Sequence, residues 1–214
     1  MSCEKEDIAP NNLSVNQLQQ ARETGTCTAY FYATKDGSTV SYGVALGDVV
    51  LVSFVEGTPA KDIKKILSQY PEFIKVESEF STETSLITVL RLTPNTTCFA
   101  AEQMIASLET KPEVKFALPA FDNGVDEQKN RRLLAMTDEL LVGIEPTPEA
   151  LAQLQAFVAS TNSKIVFSYS EEFHLLSVDK TSSGNSFELT TLLNQQGYVT
   201  GADPSLVVQA LKPL

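Results

Sequence analysis

The chain carries one pattern twice. Thr58-Pro59 and Thr147-Pro148 each introduce an amphipathic stretch. The apolar positions that follow coincide: Ala60, Ile63, Ile66 and Leu67 lie over Leu151, Leu154, Phe157 and Val158 at a constant offset of 91. Threonine at the N-cap followed by proline at N1 starts a helix, because the hydroxyl accepts an orphan backbone N–H and proline lacks one. Farther on, Ala101, Met104 and Ile105 lie over Leu189, Leu192 and Leu193 at an offset of 88, with Leu108 extending the first stripe at helical spacing. Gly197 is the expected C′ residue of the later helix. The copies also end alike. Residues 114–121, Val-Lys-Phe-Ala-Leu-Pro-Ala-Phe, match residues 199–206, Val-Thr-Gly-Ala-Asp-Pro-Ser-Leu, at an offset of 85. A repeat of this kind means one supersecondary unit used twice.

Strands fill the intervals. The first copy offers the continuous apolar run Val49–Val55, then Phe73–Phe80, Leu86–Leu92 after a turn at Ser81–Ser85, and Val114–Leu118 closed by Pro119. The second offers Glu139–Ile144, Ile165–Tyr169, Phe173–Val178 and a strand from Val199. Each copy therefore runs β-α-β-β-α-β, the split βαβ plan that is ferredoxin-like in topology, with an antiparallel sheet and two helices on one face. Ahead of them, Thr28–Thr34 and Thr39–Ala45 flank Lys35-Asp36-Gly37-Ser38, a hairpin signal because glycine accepts the positive φ of such turns. The expected fold is α+β: two tandem ferredoxin-like βαββαβ units with antiparallel sheets, preceded by an N-terminal β-hairpin. Residues 1–26 are expected to be a leader and polar linker with a short helix at 13–23. The hairpin and first unit then take 27–121, a linker 122–138, and the second unit 139–214. A unit of about 70 residues has a thin core, so the halves are expected to share an interface, with the uncovered sheet faces as its natural place.

Composition excludes much chemistry. Asp and Glu number 27 against 16 Lys and Arg, a net charge of −11, and a nucleic-acid-binding face needs clustered cations. No apolar run approaches the roughly 20 residues that span a bilayer. The only histidine, His174, sits in Phe173-His174-Leu175-Leu176, where a strand-packed imidazole is expected rather than the base of a triad. Cys3, Cys27 and Cys98 have no zinc spacing, and phosphate-loop, dinucleotide and HExxH motifs are absent. Glu171-Glu172 would face opposite sides of a strand, while Glu77 and Glu79 share a face that is expected to be solvated. A non-enzymatic chain without cofactor or metal follows. In an oxidising compartment Cys27 and Cys98 could pair, which the sequence alone does not decide; Cys27 opening a strand and Cys98 beginning a helix favour free, buried thiols.

The start, Met1-Ser2-Cys3-Glu4-Lys5-Glu6-Asp7, looks like the mature end of a bacterial lipoprotein, with a small residue before an acylated Cys3. The acidic residues after Cys3 resemble the surface-export signal of lipoproteins in the Bacteroidetes group. The expectation is an exported outer-membrane or cell-surface protein that touches the membrane only through a lipid anchor.

The hairpin Tyr30–Tyr42, the strand Val50–Phe54, the Thr-Pro helix starts and the ending Val-x-x-Ala-x-Pro-x-Phe/Leu resemble the N-terminal prodomains of secreted subtilisin-like proteases, the fervidolysin type in particular. The likeness spans roughly residues 28–206 and carries no Asp, His or Ser catalytic motif. It implies a protein partner, a subtilisin-like protease domain, whose surface helices take the prodomain's sheet. It also implies that the segment Asp203–Leu214, with Asp203, Pro204, Ser205 and Leu206 at its start, enters the cleft as an added strand. The alternative is a free-standing surface lipoprotein that binds another protein or a polymer without a role in proteolysis. That alternative expects an exposed apolar or aromatic patch around Tyr30, Phe31 and Tyr32, against which ordinary packing of strand aromatics is the favoured reading of these residues.

Overall fold

The computed structural model describes residues 26–211; Cys3, the helix expected at 13–23 and residues 212–214 lie outside them. The hairpin forms as β1 (Ala29–Ala33) and β2 (Thr39–Val44). The first copy gives β3 (Val49–Phe54), α1 (Ala60–Leu67), β4 (Phe73–Ser81), β5 (Leu86–Leu92), α2 (Cys98–Glu109) and β6 (Val114–Val125). The second gives β7 (Arg131–Ile144), α3 (Pro148–Thr161), β8 (Lys164–Ser168), β9 (Phe173–Ser177), α4 (Ser186–Asn194) and β10 (Val199–Leu211).

The two Thr-Pro starts behave differently. Thr147 accepts from the Ala150 N–H at 3.1 Å with Pro148 in the first helical turn, as expected. In the first copy Pro59 itself occupies the N-cap and makes no side-chain cap, because the Thr58 hydroxyl donates instead to the Val55 carbonyl at 2.6 Å. The other helices start on side-chain caps. Thr97 accepts from Ala100, and Asn185 with Glu188 forms a reciprocal capping box. Gly197 is not a C′ residue, since α4 ends at Asn194 with Gln195 at its C-cap in the right-handed region.

All strand pairs are antiparallel, in the order β4-β5-β3-β6-β7-β9-β8, with β10 on the other side of β7. The linker expected at 122–138 does not exist. Val114–Val125 runs straight through Pro119, turns over Asp126 and Asn130, and returns as β7. The polar appearance of Asp122–Arg132 reflects one exposed end of a long hairpin, while Leu133, Ala135 and Met136 behind it are fully buried. The halves therefore join edge to edge. β6 pairs with β3 up to Pro119 and with β7 from Ala120 onward. β10 pairs with β7 along its whole length and changes register just after Pro204. The repeated proline thus marks the same place in both copies, where a strand passes from its own half into the shared region. Proline suits such a break because it has no ladder donor to lose.

Three apolar clusters follow from this pairing. Val50, Val52, Leu90 and Leu92 pack under α1 and α2, and Leu140, Val142, Ile144 and Leu176 pack under α3 and α4. The third cluster covers the other face of the first sheet. There Val49, Leu51, Ile87, Val89, Phe116 and Leu118 meet Tyr32 of the hairpin, Leu133 and Met136 of β7, and Phe187 of α4. No helix among the described residues is long and apolar enough to cross a membrane.

Candidate functional site

Successive strand residues point to opposite faces, so the helix-side positions of the second half leave Leu141, Gly143, Phe173, Leu175 and Phe167 on the other side. The register sets them in rows: Leu141 opposite Leu175, Leu175 opposite Phe167, and Gly143 opposite Phe173. Gly143 and Leu175 are buried, but among the described residues the apolar side chains around them stand partly open. Leu141 is 39% exposed, Phe173 45% and Phe167 55%, while Tyr169, 58% exposed, stands edge-on to Phe167 with ring centroids 4.9 Å apart. Phe173 lies over Gly143: a Cβ built there would come within 3.2 Å of its ring and 2.6 Å of the Thr200 hydroxyl. Glycine at this register position is what lets the aromatic ring lie against the sheet.

This face is the counterpart of the first half's covered face. The hairpin with Tyr32 and the shared strands bury one copy's outer sheet face; among the described residues the other copy's is left partly open. Apolar residues of both parities in Glu139–Ile144 and Phe173–Ser177 were the available signal, because such strands want cover on both sides.

The residues singled out from the sequence lie elsewhere. Tyr30 and Tyr32 do not form an exposed patch. Tyr32 is buried and stacks with Tyr42 at 6.3 Å, and Tyr30 meets Phe121 edge-on at 5.2 Å. Only Phe31 and Val44 of the hairpin stand exposed among its large apolar residues. The structure does bring Tyr32 to Asp203: its hydroxyl donates to Asp203 Oδ1 at 2.9 Å. Burial, then this bond and the Asp203 charge, push the Tyr32 phenol well above its ordinary range. Asp203, Pro204, Ser205 and Leu206 are not a free segment. Their strand is hydrogen-bonded to β7, the Ser205 carbonyl accepts from Thr137 at 2.8 Å, and Leu206 packs on the central core. Asn194 caps the β10 edge, accepting from the Ala202 N–H at 2.8 Å and donating to the Ala202 and Ala33 carbonyls at 2.9 Å.

His174 is 2% exposed in β9, and its Nδ1 shares a hydrogen bond of 2.8 Å with the Ser168 hydroxyl. Its Nε2 has no partner among the described residues, so no carboxylate orients the ring as a triad requires. Glu77 and Glu79 do not share a solvated face. A register shift between Val76 and Ser78 turns Glu77 inward against Lys75 at 3.0 Å, and Glu79 accepts from Thr88 at 3.2 Å. The cysteines are a correction as well. Cys27 and Cys98 form a disulfide with Cα atoms 5.7 Å apart, tying the start of the hairpin to the first turn of α2. A 71-residue separation hid that proximity from the sequence.

The described residues thus make an α+β protein of antiparallel strands and four helices, with one sheet face open to solvent. No family model matches the chain and no curated protein matches it. Among solved structures it is similar to the small subunit of acetolactate synthase from Thermotoga maritima. The identity is 12% over 78% of this chain and 97% of that one, with a TM-score of 0.26.

Proposed function

We propose that the chain is a tandem of ferredoxin-like units serving as a non-catalytic, prodomain-like module. It engages a secreted subtilisin-like protease through the open sheet face of its second unit, inhibiting the enzyme or assisting its folding. The observation that carries this reading is the asymmetry between equivalent faces, one buried by the hairpin and one presenting Leu141, Phe167, Tyr169 and Phe173 to solvent. Contiguous exposed aromatics on a rigid sheet favour a protein contact, since aromatic anchors dominate binding energy at small cost in side-chain entropy. The test is inhibition of a subtilisin-like protease acting on a chromogenic peptide. Wild-type chain should inhibit at stoichiometric ratio, and Phe167→Asp with Phe173→Asp should weaken inhibition by at least about tenfold. Both side chains are about half exposed, so the variant should keep the wild-type unfolding midpoint. Undiminished inhibition by that variant, or none by the wild type, would sink this use of the face.

Asp203–Leu211 is paired with β7, which speaks for contact through the sheet face rather than strand insertion into a cleft. A second reading rests on Ser2-Cys3 followed by Glu4-Lys5-Glu6-Asp7. In that reading the chain is a surface lipoprotein, acylated at Cys3 and exported, which binds a protein or polymer without touching proteolysis. Incorporation of labelled palmitate by the full-length precursor, lost in Cys3→Ala, is the expected result; label retained in the variant would place the anchor elsewhere.

A further inference from the structure

The partly open sheet face of the second unit has a rim of one sign. Tyr169 and Phe173 are joined by the turn Ser170-Glu171-Glu172, closed by the Tyr169 N–H donating to the Phe173 carbonyl at 2.9 Å. Both glutamates are exposed, and neither pairs with a cation among the described residues. The turn that carries them is held in place beside the rings. Ser170 Oγ accepts from the Glu172 and Phe173 N–H groups at 3.1 and 3.2 Å, and the Ile144 N–H donates to the Glu172 carbonyl at 2.8 Å.

The opposite flank is acidic too. The register sets the exposed Asp203 across from Leu141, and its partner there, the Tyr32 hydroxyl, brings no positive charge. Lys164 is the sole Lys or Arg in residues 139–144, 164–169, 173–177 and 199–211. It stands opposite Ser177, at the far end of the face from the turn, and lies 3.4 Å from Asp179.

An apolar core with an anionic rim narrows what can cover it. A second copy of the chain would bring the same carboxylates to the seam from a molecule of net charge −11, and like charges facing each other across an interface oppose binding. A neutral apolar surface would cover the rings but leave Glu171 and Glu172 partly dehydrated without a counter-charge. A surface that is apolar at its centre and cationic at its margin meets both needs. Its width follows from the strands: β7, β9 and β8 lie about 4.8 Å apart, so the rows span about 10 Å, which one helix covers.

We propose that the partner of this face is an apolar protein surface flanked by lysine or arginine. Its apolar side chains lie on Leu141, Phe167, Tyr169 and Phe173, and its cations meet Glu171 and Glu172, with Asp203 on the other flank. This rests on the reading of the face as a partner surface and adds the partner's chemistry. The probe is a labelled leucine–lysine amphipathic helix of about 18 residues, long enough to be helical, beside a leucine–glutamate peptide of the same pattern. By fluorescence anisotropy with the full, disulfide-bonded chain at low salt, the lysine peptide should bind with a Kd of about 100 µM or tighter, and the glutamate peptide should not. Glu171→Gln with Glu172→Gln should weaken binding about fivefold, as two exposed ion pairs allow. That loss should vanish in 1 M salt, where charges are screened beyond about 3 Å. Phe173→Ser should weaken binding about tenfold at either salt concentration. Glu56→Gln with Glu127→Gln, exposed elsewhere on the chain, should change nothing. Equal binding of the two peptides, unchanged affinity after loss of Glu171 and Glu172, or an equal loss in the Glu56 and Glu127 control would overturn the proposal. So would dimerisation of the wild type in sedimentation that Phe173→Ser abolishes. No protease enters this assay: peptide binding of the expected kind without protease inhibition upholds the partner's chemistry and removes only the protease. Inhibition that depends on Phe167 and Phe173 but ignores Glu171 and Glu172 overturns this inference alone.

Discussion

Among single residues, Asp48 has the widest reach. Both its carboxylate oxygens accept from Arg131 Nη1 at 2.9 and 2.8 Å, and Arg91, itself buried, lies 3.6 Å away. The cluster joins the start of β3 to the start of β7 and so clamps the two halves. Removing the one anion would leave the buried Arg91 uncompensated, and breaking a buried pair this way costs about 3 kcal/mol or more. Asp48→Ala should lower unfolding free energy by that amount in urea melts; a change under about 0.5 kcal/mol would show the clamp to be solvated. Glu102 makes a prediction about pH. Its pKa is raised by burial above the ordinary 4.5, so the folded chain holds this proton more tightly than the unfolded one. Stability therefore falls as pH rises from 4.5 through the folded value. Glu102→Gln should flatten that decline, though not abolish it, because Glu188 is raised for the same reason. Asp179 is lowered in spite of its burial, by bonds from Thr181 and the Lys164 charge, and acts oppositely. Its contribution is present above 3.8 and is lost as pH falls through the lower folded value. Urea melts at a series of pH values separate the two windows, and identical slopes for wild type and Glu102→Gln would contradict the assignment.

At the scale of elements, the disulfide decides how firmly the hairpin is seated. Cys27–Cys98 closes a 71-residue separation, for which loop entropy alone gives about 4 kcal/mol. The same arm is held by the Thr28 bonds to Glu102, and at its other end by the Ala33 N–H to Thr191 at 3.0 Å. The hairpin covers the first sheet through Tyr32, so loosening it exposes core. Reduction, or Cys98→Ser, should cost about 2–4 kcal/mol and increase hydrogen exchange at β1 and β2 before the sheet itself. Unchanged exchange in the hairpin would mean that packing of Tyr30, Tyr32 and Tyr42 suffices without the covalent tie.

At the scale of the whole molecule, eight of the ten described strands form one continuous sheet shared by both halves, with the β1–β2 hairpin packed on it, because β6, β7 and β10 are long enough to serve both halves. Residues 131–136 of β7 lie between β6 and β10, and the same strand continues into the second half beside β9. The halves cannot open separately without tearing that ladder. Unfolding should be a single cooperative transition, with far-UV circular dichroism and tyrosine fluorescence coincident in urea. Two resolved midpoints would contradict it. A chain cut at Val125 should fail to fold, since Leu118 and Phe121 would lose Leu133, Met136 and Phe187.

Much of this architecture is legible in the sequence. The apolar stripes of the helices, the Asp-Gly hairpin and the repeat at fixed offsets are local signals, set by backbone period and turn chemistry, and the described helices and most strands lie within a few residues of their expected places, whereas β6 extends to Val125 and β7 begins at Arg131. What failed locally failed for long-range reasons. Asp122–Arg132 resembled a linker because half of a hairpin's polar end hides the Leu133 side that only tertiary packing buries. Cys27 and Cys98 resembled free thiols because their approach depends on the hairpin folding back onto α2. Tyr30 and Tyr32 pack as strand aromatics, the reading the sequence favoured over a patch, but that they cover the first half was not legible from it. The sequence by itself determined two similar βαββαβ patterns. Only tertiary structure decided which outer face the single hairpin would bury, because that choice rests on contacts between residues far apart in the chain, and hence that Leu141, Phe167 and Phe173 of the other face stand exposed.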